Sequence, residues 1–130
     1  NIYSQSNFEE ADKYALEWKY SVNSTSEMYD FLDSIDLKYI EEIDKVRVFY
    51  IWLVNNVDYD EEKRENVGLP NYYERYGNSD IAQNDYVLRN KKGICDDYSR
   101  LFKFMGEYLS LELEYVSGYA RNFEDDNKFI

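Results

Sequence analysis

The stretch IEEIDKVRVFYIWLVNNV, from Ile40 to Val57, leaves this chain little choice in how it folds. At helical spacing, Ile43, Val46, Tyr50, Leu53 and Val57 form one stripe, and Val48, Ile51 and Trp52 load the adjacent face. Its β-branched residues would also suit a strand, but a run of this length without Gly or Pro favours helix. A helix that is apolar over most of its circumference has to lie inside, with neighbours on several sides.

Three other segments can supply those neighbours. Ser6-Asn7-Phe8-Glu9 has the spacing of a capping box, and behind it Phe8, Ala11, Ala15 and Trp18 share a helical face, which predicts a first helix from about Asn7 to Tyr20. Ser24 and Glu27 repeat the cap signal before Met28, Phe31 and Leu32, which predicts a short second helix ending near Ser34. After Gly93, read as a flexible hinge, Ile94, Tyr98, Leu101, Phe102, Met105 and Leu109 keep helical spacing. Between these elements, Asp58 to about Asp85 holds the only proline, two glycines and Tyr59, Tyr72, Tyr73 and Tyr76, and reads as a long ordered loop with helical turns.

The segment LELEYVSGYAR alternates from Leu111 onward as a strand does. A lone strand cannot satisfy its own backbone, so the span from Leu111 to Tyr119 is expected to pair with polypeptide beyond this sequence or with another chain. The 130 residues therefore read as one domain, α+β and mostly helical, with one or few strands at its C-terminal end and the look of an incomplete fold.

Charge narrows the partners. With 27 acidic against 15 basic residues the chain carries a net charge of −12, which repels phosphate backbones, so no nucleic-acid partner is expected. No apolar run approaches the ~20 residues of a spanning helix. Asp58, Asp60, Glu61 and Glu62 suggest a calcium loop, but the glycine and glutamate that such a loop needs are missing, and they read as solvated acidic surface. No metal or cofactor is expected.

The chemistry worth arguing over lies in KKGICDDYSR, Lys91 to Arg100, which holds the only cysteine of a chain without histidine. Cys95 falls in the first turn of its helix, where unpaired backbone N–H groups and the helix dipole favour thiolate and could also stabilise an oxyanion. Asp96 and Asp97 oppose a neighbouring thiolate, and Lys91 and Lys92 favour it. The competing reading is that a single cysteine is a small buried hydrophobe. The imidazole that normally takes a thiol proton cannot come from these residues, so catalysis by this chain alone is not expected.

Several segments in order resemble the transglutaminase-like superfamily, in particular a bacterial branch similar to kyphoscoliosis peptidase. They are DKYAL at Asp12 to Leu16, DKVRVFYIWLVNNVDYD at Asp44 to Asp60, YVLRNKKGICDDYSRLFKFM at Tyr86 to Met105, and YVSGYAR at Tyr115 to Arg121. The resemblance implies a papain-like fold of which this is the N-terminal, helix-rich portion, with Cys95 as the nucleophile of a cysteine hydrolase or acyltransferase that acts on amide bonds through a thioester. It implies a histidine and an acidic partner on later strands, and a protein, peptide or peptidoglycan-type amide as substrate. Relatives of this look are often secreted or cell-surface proteins. Tyr59, Tyr98 and Tyr119 are the candidate substrate-binding residues, as part of a tyrosine groove with Tyr72, Tyr73 and Tyr76. Asp97 stands where many relatives have glycine, which would bring bulk and charge beside the thiol. The alternative is a non-catalytic module that keeps the helical scaffold and binds peptide or glycan.

Overall fold

The computed structural model describes residues 2–112, with side chains from residue 8 onward. The described elements run α1 (Ile2–Leu16), α2 (Thr25–Lys38), α3 (Glu42–Asn56), β1 (Asp58–Tyr59), α4 (Glu61–Asn66), α5 (Tyr72–Tyr76), α6 (Asp80–Asn90), β2 (Lys92–Gly93) and α7 (Cys95–Tyr108).

Helix α3 is the interior element that its sequence demands. Val46, Val48, Phe49, Trp52 and Leu53 are buried, and they meet α1 through Ala11 and Ala15, whose small side chains allow close approach. A bidentate pair from Arg47 to Asp12, at 2.7 and 3.0 Å, fastens the two helices at the edge of that contact. Met28, Phe31, Leu32 and Ile35 of α2 close the core on one side, and Leu101, Phe102 and Met105 of α7 on another. Aromatic rings run through it, Trp18 to Phe31 (4.9 Å between centroids), Phe31 to Trp52 (5.3 Å) and Phe49 to Phe102 (5.4 Å).

Several boundaries differ from those the sequence suggests. Helix α1 starts at Ile2, so the apparent capping box lies inside it, and it ends at Leu16. Beyond that point the Trp18 amide reaches Ala15 O at 3.4 Å, one residue short of an α-helical bond, and the indole turns against Phe31. Helix α2 continues past Ser34 to Lys38, with Ile35 of the added turn in the core; the Ser34 hydroxyl stays within the helix, donating to Phe31 O and accepting from Tyr14 OH.

The largest difference falls between Asp58 and Asp85. What reads as one long loop is β1, two short helices and the start of α6. Asp60 is buried and caps α4 by accepting from the Lys63 amide at 2.9 Å, so it is not the solvated carboxylate expected of it. Ser79 caps α6 in the same way through the Ala82 amide. The strands β1 and β2 pair in parallel, Asp58 opposite Lys92 and Tyr59 opposite Gly93, so Gly93 is a sheet residue rather than a hinge. Of the strand expected from Leu111 to Tyr119, Leu111 and Glu112 have no strand structure, and the rest lies outside the described residues. Leu111 packs into the core, and its amide donates to Gly106 O.

Candidate active site

Cys95 is the first residue of α7, half-buried, at the point where the short parallel sheet delivers the chain into that helix. Ile94, the residue before it, is extended and has no side-chain acceptor to offer the helix. Asp97 supplies the other half of a cap: its Oδ2 accepts from the Ile94 amide at 2.9 Å. The turn that carries the thiol is therefore held from within by the carboxylate two residues on.

That carboxylate is wholly enclosed. Lys63 Nζ lies 2.8 Å from each of its oxygens, and Arg100 donates to Oδ1 at 2.7 Å. Lys63 and Asp97 are both at 0% exposure. The Lys63 ammonium also faces the rings of Tyr72, Tyr76 and Tyr86 at 5.2 to 5.9 Å. Asp97 does bring charge beside the thiol, as its identity suggests, but that charge is met by two cations.

Arg64, which also feels Cys95, donates to Tyr59 OH at 3.3 Å. The hydrogen bond to Tyr59 is the main reason that the Arg64 guanidinium is held above its ordinary value, with negative charge from Tyr59 and Cys95 adding to it. Tyr59, half-buried in β1, thus stands beside the cysteine turn. Tyr98 is only 1% exposed, belongs to the core and donates its hydroxyl to Val57 O at 3.4 Å. Burial, then the charges of Asp58 and Asp97, push its phenol up. Tyr119 lies outside the described residues. Tyr72 and Tyr76 line a cavity of about 340 Å³ together with Asn66, Leu69, Pro70 and Arg75, and Tyr73 is exposed beside it. Tyr72 feels the charges of Asp96, Asp97 and Arg100, so the cavity opens close to the first turns of α7.

Lys91 behaves differently from its expected role. Its ammonium donates to Val22 O, Leu88 O and Asn23 Oδ1, and burial pulls its titration down. It pins the turn between α6 and β2 to the approach of α2.

Lys63, Arg64 and Arg100 escape a reading of the sequence. Lys63 sits in a charged hexapeptide with no apolar spacing, and only the fold reveals that this one member turns inward.

A helix-dominated α+β domain with a cysteine at the mouth of a core helix is the class that these features define. Residues 29–128 match the family model of the transglutaminase-like superfamily, and the chain belongs to that superfamily. No curated protein and no solved structure matches it significantly.

Proposed function

We propose that this chain carries the nucleophile of a transglutaminase-like cysteine hydrolase or acyltransferase, with Cys95 as that nucleophile and Tyr59 at the lip of its site. The observation behind the proposal is the half-exposed position of Cys95 as the first residue of α7. There the helix end favours thiolate and its N–H groups suit a developing oxyanion.

In this reading the thiolate attacks the carbonyl carbon of a protein, peptide or peptidoglycan-type amide. The C–S bond forms, the C–N bond breaks, and the amine leaves with a proton. Water or a second amine then attacks the thioester carbonyl, and the C–S bond breaks to return the thiolate. The base for the first proton transfer is a group outside these 130 residues, which hold no histidine.

Alkylation of native protein by iodoacetamide across pH tests the role of Cys95. We expect labelling without denaturant, with an inflection below the ~8.5 of an ordinary thiol. Labelling that requires denaturant would count decisively against a nucleophile.

The cavity beside Tyr72 favours a second reading, a non-catalytic module that binds peptide or glycan. It predicts that Cys95→Ser binds muropeptide or peptide fragments as tightly as the unaltered chain and that Tyr72→Ala does not.

A further inference from the structure

The Asp97 carboxylate receives four hydrogen bonds from three donors: Lys63 on both oxygens, Arg100 on Oδ1 and the Ile94 amide on Oδ2. Such saturation marks an ionised group, and it makes a buried pair tolerable, since removal of two charges from water is repaid only when their remaining hydrogen-bonding capacity is filled. Apolar residues of similar volume would often serve folding as well. The pair stands two residues along the chain from the thiol.

We propose that Lys63 is a positioning residue for Cys95: its ion pair with Asp97 ties α4 to the first turn of α7 and cancels the carboxylate buried beside the thiol. With Arg100 included, the three side chains carry one positive charge in excess. Without Lys63 the excess vanishes.

The other ionisable groups around the thiol come from each adjoining element. They are Asp58 and Tyr59 of β1, Arg64 of α4, Lys92 of β2, Asp96 and Tyr98 of α7 and, on the outer side of Arg100 at 3.6 Å, the exposed Asp80 of α6. None of them is altered by substitution at residue 63. The inference draws its catalytic meaning from the reading of Cys95 as a nucleophile, but the charge coupling is measurable without it.

The test is the titration of the Cys95 ¹³Cβ chemical shift, which reports ionisation whether or not a reagent reaches the sulfur. In Lys63→Met and in Arg100→Gln the inflection should rise by about one pH unit, the effect of a unit charge ~10 Å away at an effective dielectric of about 20. In the double variant K63M/D97N the positive excess is restored, and the inflection should return to that of the unaltered chain. Arg100 is partly exposed, so Arg100→Gln gives a folded protein to measure even where Lys63→Met does not fold. An inflection that stays put in either folded single variant overturns the proposal. Failure of native alkylation, by contrast, removes the nucleophile reading and leaves this coupling standing.

Discussion

Asp97 fills the space that a side chain on Gly93 would need. A Cβ on residue 93 would stand 3.0 Å from Cβ of Asp97 and 3.2 Å from Cγ1 of Val87. Gly93 does not adopt the left-handed backbone that favours glycine; it lies in β2, and its carbonyl accepts from the Asp60 amide at 2.9 Å. Its missing side chain admits a buried carboxylate next to the cysteine turn.

Gly93→Ala should therefore destabilise the fold by about 1–3 kcal/mol, the usual cost of an added methyl in a packed interior. Urea denaturation measures it. In an Asp97→Gly background the closest of the two obstacles is gone, and the penalty should shrink by at least about 0.5 kcal/mol in a double-mutant cycle. Full additivity of the two substitutions would show that the crowding is relieved elsewhere.

Tyr98 separates packing from chemistry. Its hydroxyl donates to Val57 O at 3.4 Å, a long bond, and loss of such a bond in Tyr98→Phe should cost about 1 kcal/mol, whereas Tyr98→Ala should cost about 3–5 kcal/mol through the cavity it leaves. Alkylation of Cys95 should be the same in Tyr98→Phe as in the unaltered chain. A folded Tyr98→Phe whose thiol reacts at a changed rate would return Tyr98 to the site.

What the sequence discloses depends on how a residue signals its surroundings. The interior helix was legible because apolar spacing alone forces Val46, Val48, Trp52 and Leu53 inward, although Phe49, which the stripe leaves out, is buried and Ile43, Tyr50 and Ile51 are only partly so; the start of α7 was legible from the step at Gly93 to a periodic run. Helix α6 was not, because Gln83 and Asn84 occupy its buried face beside Val87 and Leu88 and blur the periodicity. Its Ser79 cap was the available clue. The ion pair of Lys63 with Asp97 spans 34 positions, and no local pattern distinguishes Lys63 from its charged neighbours. Cys95 and the carboxylates beside it are legible by position, whereas the cations Lys63, Arg64 and Arg100 are found only through the fold.

Tyr39 and Tyr72 should shape the alkaline limit of stability. Each phenol is pushed up to about 12, chiefly by burial, with Glu10 and Asp44 adding to it at Tyr39 and Asp97 at Tyr72. The unfolded chain titrates these groups near ~10. Between those values the unfolded state binds fewer protons than the folded one, so stability is fully present below about pH 10 and falls as pH rises toward about 12. Urea midpoints at pH 9, 10 and 11 should decline in that order, less steeply in Tyr72→Phe. A flat profile would mean that these phenols ionise in the folded chain as readily as in the unfolded one.

Arg64 and Lys63 bring positive charge to the same thiol by different routes, and salt tells them apart. Arg64 is exposed and held by Tyr59, so its influence on Cys95 passes through water and is screened. Arg64→Ala should slow alkylation of Cys95 at pH 7 by roughly two- to fivefold at low ionic strength, in line with the small energies of exposed charge pairs, and the difference should fade in ~1 M salt. Tyr59→Phe should act in the same direction but more weakly, since it frees the guanidinium without removing it. The effect of Lys63→Met should persist in ~1 M salt, because the charges it unbalances lie where ions do not reach. If Arg64→Ala reacts at the unaltered rate in low salt, the guanidinium is too distant or too mobile to act on the thiol, and the electropositive setting of Cys95 rests on the buried cluster and the helix end.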